Sequence, residues 1–409
     1  MNSLKTYQIF LIILLLFVSF FTFVPAVVSG FATLDDKVLV FNKSIINADI
    51  NKVFVEEHMG MYHPLVSVSF MIESILFAST PEFFHLDNML LHCINTILVL
   101  IIFLLFTKKF NVAYIVALLF AIHPLHTEVV AWISARKDTL YSIFYLFSIY
   151  FYIKSYNIKK EKFYITLSFI CFLLSCFSKV MAVTLPAILI LFDFYSNRLN
   201  KQKFKIYLPF ILVTSIFIIS GIHAHFYTDL RHINYNLIDR FFNAHFYILF
   251  YIIKFFLPIN LYCLYPKLYA EDMPVPLYVI LSPILVYLII SLVLYSLKYS
   301  KKIFFGFSFF VITISPCLGF FTIGKATMAD RYMYIPLIGL AYILAEFGVN
   351  IYNKLKNKFK IFFLTIGIII IFLFMYLSFV RTIDWKNDDY EAPNSIKYYT
   401  PDLLFCVKK

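Results

Sequence analysis

Two side-by-side carboxylates, Asp35 and Asp36, stand in the stretch Phe31-Ala-Thr-Leu-Asp35-Asp36-Lys37, directly after the first long apolar run, Tyr7 to Val28. A carboxylate at a membrane surface is costly unless a partner or a reaction uses it. One of the pair can serve as a general base, taking a proton from an attacking hydroxyl. The plainer reading is two solvated aspartates opening a loop. A second polar cluster follows at Ala121-Ile-His123-Pro-Leu-His126-Thr-Glu128 and Ala131-Trp-Ile-Ser-Ala135-Arg136-Lys137-Asp138. Its His-x-x-His-x-Glu spacing contains donors that a divalent metal accepts. Pro124 breaks the chain between the histidines, so a structural cap or acceptor-positioning network is the preferred reading, and no metal ligands are assigned.

Several cations complete the set. Adjacent Arg136 and Lys137 open an apolar run and suit a phosphate, which Arg grips in a bidentate manner. They could equally pair with Asp138 and lipid headgroups. Lys179, in Phe177-Ser-Lys179-Val180, is a further lone ammonium. Gly324-Lys325-Ala-Thr-Met-Ala-Asp330-Arg331-Tyr332 sets Lys325 and Arg331 among aromatics, as a lipid-linked phosphate and a sugar face require. An interfacial aromatic girdle would look similar. In the first loop, His63-Pro64-Leu65 precedes an apolar pattern suited to a helix lying on the membrane. His92, inside a later run, reads as a buried neutral histidine bonded to a carbonyl.

These groups must be carried by membrane helices. The 409 residues are 62% apolar and 14% charged, with mean hydropathy +0.84, outside the range of soluble domains. Apolar runs fall at 7–28, 88–106, 112–124, 139–153, 163–178, 181–195, 206–222, 276–296, 303–322, 333–349 and 361–380, which predicts an all-α integral membrane protein of about eleven spans. The first run is long for a cleaved leader and reads as a retained anchor. A further run, 242–258, holds Asn243, His245 and Lys254, so it either spans or lies at the interface. Leaving it out of the count keeps every basic cluster between spans on one face, with the amino terminus cytoplasmic and the carboxyl terminus outside. The candidate residues then gather on the extracytoplasmic face, with interfacial helices in its first and third loops. The net charge of +12 lies in these orientation clusters, which argues against nucleic acid as a partner. Cysteines at 93, 171, 176, 263, 317 and 406 form no zinc or disulfide pattern.

Taken together, Asp35-Asp36, His63-Pro64-Leu65, Phe84-His85-Leu86, Ala121 to Glu128, Ala135-Arg136-Lys137-Asp138, Ser178-Lys179 and Ala329-Asp330-Arg331-Tyr332 resemble the transmembrane-and-tetratricopeptide (TPR) O-mannosyltransferase family, particularly its bacterial relatives. The order and spacing hold over roughly residues 1–390. The resemblance implies a C-type glycosyltransferase (GT-C) bundle over 1–380 and a short extracytoplasmic tail over 381–409. It implies a hexosyltransferase that moves a mannose-like sugar from a polyprenyl-phosphate carrier to an acceptor hydroxyl, on protein Ser/Thr or on a glycan. Asp35 or Asp36 would be the base, with a slight preference for Asp36. Arg331, Arg136, Lys137, Lys179 and Lys325 would hold the donor phosphate. His63, His123, His126, Asp138, Asp330 and Tyr332 would form the acceptor or structural network. The compartment implied is a bacterial plasma (inner) membrane, and membrane lipids are the surrounding partner.

The sequence departs from the family twice. Relatives continue into a large TPR domain, whereas this sequence ends at Lys409, and Trp385 to Pro401 reads at most as the start of one repeat. Acceptor recognition by repeats is then expected to be missing or supplied by another protein. Val180 stands where many relatives carry Glu, which leaves Glu128 as a candidate catalytic substitute. A cell-surface polysaccharide or lipid is the alternative acceptor. A lipid-linked-sugar flippase or an inactive scaffold is the alternative function. A flippase is disfavoured because no internal repeat is seen and the charges crowd one edge rather than the midplane.

Overall fold

The computed structural model describes residues 5–32, 35–56, 62–156, 158–227, 236–269, 273–319 and 327–385. Among them the regular structure is helical: α1 (Thr6–Thr22), α2 (Asp36–Val40), α3 (Lys43–Ile46), α4 (Ile50–Val53), α5 (Pro64–Phe77), α6 (Pro81–Thr107), α7 (Phe110–Ile122), α8 (Thr127–Ala131), α9 (Arg136–Lys154), α10 (Glu161–Ser178), α11 (Leu185–Tyr195), α12 (Phe204–Tyr227), α13 (Leu237–Phe256), α14 (Leu277–Ile280), α15 (Ser282–Ser296), α16 (Lys301–Ile314), α17 (Leu337–Lys354) and α18 (Asn357–Ile383). Each of the eleven expected apolar runs has its helix. By length and composition alone, six helices can cross a membrane, or seven if α7 and the segment bent from it at Pro124–Ala131 count as one span.

The shorter helices have a physical reason. α7, α11 and α16 have 13, 11 and 14 residues. At 1.5 Å per residue they run only about 17–21 Å, less than the hydrocarbon core of about 30 Å. Each adjoins a 3-10 turn: Pro124–His126 after α7, Val180–Thr184 before α11 and Ser315–Cys317 after α16. Irregular backbone at membrane depth is tolerated when protein surrounds it, and Pro124, Leu125 and His126 are buried.

α6 packs between α7 and α9, α9 against α10, and α17 against α7 and α16. Small residues permit the closest approaches. Ser148 and Ser168 exchange hydroxyl-to-carbonyl hydrogen bonds of 2.7 and 2.8 Å across α9 and α10. Where α16 meets α17, a Cβ on Gly306 would lie 2.6 Å from the Gly339 carbonyl oxygen, so only glycine fits.

The alternating helix directions sort the charges to two ends. At one end Lys109 and Lys302 close on Glu346, at 3.2 and 2.7 Å, and Lys301 donates to the Phe194 carbonyl at 2.9 Å. α6 starts at the other end, at Pro81, carries Asp87 and Asn88 in its second turn, and reaches Lys108 and Lys109 only after 27 residues from its start, roughly 40 Å of helix. α13 belongs to the end away from the lysines. Its Phe242 carbonyl accepts from Ser282 at the head of α15, and its Phe255 carbonyl bonds His123. Both contacts lie at the end away from the lysines, so α13 does not carry the chain across to them, which settles 242–258 as part of the third loop rather than a further span. α5 also sits there, through Glu73 and Arg136.

Candidate functional site

α2 opens on Asp36 in its first turn, with Asp35 just outside. Asp36 is fully buried. One carboxylate oxygen accepts from the Ala32 amide at 2.8 Å, and the other from the Ser134 amide at 2.8 Å and the Ser134 hydroxyl. Asp36 thus latches the first loop to the turn before α9. Asp35 is half-buried, and its charge reaches Lys137. The slight sequence preference for Asp36 as base does not suit this geometry, because its oxygens are turned to protein donors.

Arg136 is likewise placed differently from its expected phosphate role. It is fully buried and paired with Glu73 and, at 2.7 Å, with Asp87. It also donates to the Asn88 side chain and, at 2.9 Å, to the Phe84 carbonyl. Those acceptors consume the guanidinium. Next to it, Lys137 is 6% exposed and has no hydrogen bond or ion pair among the described residues; its ammonium lies 5.8 Å from the Trp132 ring centre. The charges acting on Lys137 are Lys179, Asp35, Arg331 and Asp138, which brings four distant stretches into one neighbourhood. Asp138 pairs with Lys179 at 2.5 Å, not with Arg136 or Lys137.

Glu128 is fully buried and grips Arg331 twice, through the Arg331 side chain and through its amide at 2.8 Å. The Arg331 guanidinium also donates to the Cys263 carbonyl at 2.9 Å and lies over the rings of Trp132 and Tyr332, at 5.5 and 5.2 Å. Glu128 therefore orients a cation, and a substitute catalytic role would require it to release Arg331. Asp330 is buried and accepts from Tyr265 at 2.6 Å and from Arg381 of α18 at 2.7 Å.

The histidines serve the backbone. His123 bonds the Phe255 carbonyl at 3.0 Å and accepts the Leu125 amide at 3.2 Å, and His126 bonds the Phe120 carbonyl at 2.7 Å. His123, His126 and Glu128 thus have separate partners, and no group of three metal-type ligands occurs among the described residues. His92 bridges Tyr334 and the Ala121 carbonyl, the expected buried role. His63 is buried at the head of α5, and Tyr332 is buried beside Arg331. Lys325 and the tail from 386 onward lie outside the described residues. Glu73, Ser134 and Arg381 had no assigned role in the sequence. A lone Glu in an apolar helix was the only local signal, and it pointed to Glu73.

Burial pushes the Asp36 carboxyl from an ordinary value near 3.8 up to about 6, against the opposing pull of its hydrogen bonds to Ser134 and Ala32. The folded protein then holds this proton more tightly than the unfolded chain. Its contribution to stability is greatest below about pH 4 and is lost as pH rises through 6. Thermal midpoints measured in detergent from pH 4 to 7 should show this slope, and Asp36→Asn should flatten it. A slope of opposite sign would mean that the latch works as a carboxylate.

α5 and α13 lie at the same end of this multispan helical bundle as the Lys137 neighbourhood. Over 96% of this chain and 58% of the other, the structure superposes on the Archaeoglobus fulgidus oligosaccharyltransferase tethered to an acceptor peptide containing the NVT sequon, with a TM-score of 0.51 at 12% identity. In sequence the chain is similar to the Protein O-mannosyl-transferase F38B6.6 of Caenorhabditis elegans, at 24% identity over 409 aligned residues that cover 91% of this chain and 54% of the relative. It is also 30% identical over 156 residues to the Protein O-mannosyl-transferase TMTC1 of Homo sapiens, covering 34% of this chain and 17% of that protein. The chain therefore spans about half the length of the nematode relative and less of the human one. No family model matches the chain. The resemblance drawn from the motifs holds: the sequence is similar to O-mannosyl-transferases, and the fold is of the GT-C type.

Proposed function

We propose that this chain is an integral-membrane glycosyltransferase that moves a mannose-like sugar from a polyprenyl-phosphate carrier to an acceptor hydroxyl, protein Ser or Thr being the favoured class. The observation that carries this reading is Lys137. A buried ammonium without a partner is costly, and an anionic ligand beside Asp35 and Arg331 would complete it. Asp35 takes the proton of the acceptor hydroxyl as that oxygen attacks the anomeric carbon. The bond from the anomeric carbon to the phosphate oxygen breaks, and the carrier phosphate leaves with the electron pair. Lys137 and Arg331, with Lys179 behind them, stabilise that charge. A single displacement inverts the anomeric configuration. The names of the curated relatives support mannose and a protein acceptor. The lysine clusters at the far end support a cytoplasmic assignment for that end and an extracytoplasmic one for the site.

Lys137→Gln tests the reading. Photo-crosslinking to a polyprenyl-phosphate probe should weaken at least tenfold, since a charged hydrogen-bond partner contributes about 1.5–3 kcal/mol. Undiminished crosslinking and transfer would overturn it. Mass spectrometry of glycopeptides and glycans from cells with and without the gene identifies the acceptor.

A further inference from the structure

Among the described residues, Lys137 is not the only donor in this neighbourhood without an acceptor. The indole Nε1 of Trp132 is buried and has no hydrogen-bond partner among the described residues, and the residue is 4% exposed. An orphaned buried donor is uncommon in a folded protein and asks for a missing partner. Trp132 is held firmly. Its amide donates to the Glu128 carbonyl at 3.1 Å, and its carbonyl accepts from the Asn88 side chain at 2.9 Å. Its ring stacks on Trp385, with centroids 5.9 Å apart at 24°. The Lys137 ammonium and the Arg331 guanidinium both approach the ring, at 5.8 and 5.5 Å. Two cations over the ring that carries the orphaned N–H select an acceptor that is itself negative and has several oxygens. A neutral hydroxyl could satisfy the indole but not the ammonium.

The geometry points to Trp132 as a further binding residue for the anion received by Lys137 and Arg331: its Nε1–H donates a hydrogen bond to a phosphate oxygen of the lipid carrier, while its ring braces the two cations. This rests on the phosphate reading above and adds a neutral, directional donor to it. Such a donor favours a phosphate over a spherical anion of the same charge.

The full chain contains two tryptophans, so Trp385→Phe leaves Trp132 as the only indole reporter. In detergent, titration with a polyprenyl monophosphate should change Trp132 emission saturably, and the matching polyprenol should not. Inorganic phosphate as a third arm shows whether the headgroup alone suffices or the lipid is needed. With Trp385 intact, Trp132→Phe should weaken crosslinking of the polyprenyl-phosphate probe about tenfold and raise the donor KM more than it lowers kcat. Replacing Trp132 with benzothienylalanine, which keeps the ring shape and lacks the N–H, should do the same if the phenyl ring fails to support the fold. Unchanged donor binding in the benzothienylalanine protein, with Lys137→Gln still defective, would overturn the indole's role and leave the phosphate reading intact. No binding of the probe by the unaltered protein would overturn both.

Discussion

Asp35→Asn is expected to lower sugar transfer by about 10²–10⁴-fold, the usual contribution of a positioned general base, while polyprenyl-phosphate binding persists. The amide keeps the size of the side chain but cannot accept the hydroxyl proton. Asp35 is half-buried and its charge acts on Lys137, the group proposed to receive the leaving phosphate. Asp36→Asn is expected to act differently. It disturbs the latch made by the Ala32 and Ser134 donors, so any loss of activity should follow loss of stability. Transfer rates with labelled donor, set beside thermal midpoints for both variants, separate the roles. Full activity in Asp35→Asn, with a folded but inactive Asp36→Asn, would reverse the assignment.

The second large effect concerns stability. Arg136→Met is expected to destabilise the protein by about 3–5 kcal/mol, because removing one member of a buried ion pair strands the other. Glu73 would lose its cation, and Asn88 and the Phe84 carbonyl would each lose a donor. The damage should extend to Trp132, whose carbonyl is held by the same Asn88. Adding Glu73→Leu should recover part of the loss, since the stranded carboxylate is then gone. Thermal unfolding of the single and double variants in detergent measures this coupling. A stable Arg136→Met protein that fails only to bind donor would return Arg136 to the phosphate-binding role its sequence position suggested.

The membrane helices were legible because apolarity is a local property. A run of about 15–20 apolar residues marks its own helix whatever surrounds it, and each expected run has one. The polar turns around residues 123–138 and 330–332 were equally visible as breaks in those runs. The 242–258 run could not be settled locally, because an amphipathic helix can lie on or pass through an interface. Its contacts at Phe242 and Phe255 decided the matter.

What the sequence determined by itself was therefore the fold class, the helix-bearing segments and the short list of polar residues available for chemistry. Which member of each adjacent pair faces the site was decided only in three dimensions. Successive residues on an α-helix point about 100° apart, so Arg136 turns to Glu73 while Lys137 enters the charged neighbourhood; at the α2 start Asp36, the first helical residue, turns to Ser134 while Asp35, outside the helix, acts on Lys137. In the 3-10 turn of Asp330–Met333 the divergence is about 120°: Asp330 meets Arg381, and Arg331 meets Glu128. The partners lie from 51 to 203 residues away. Spacing along the chain carries no record of such a meeting, because it depends on how whole helices pack.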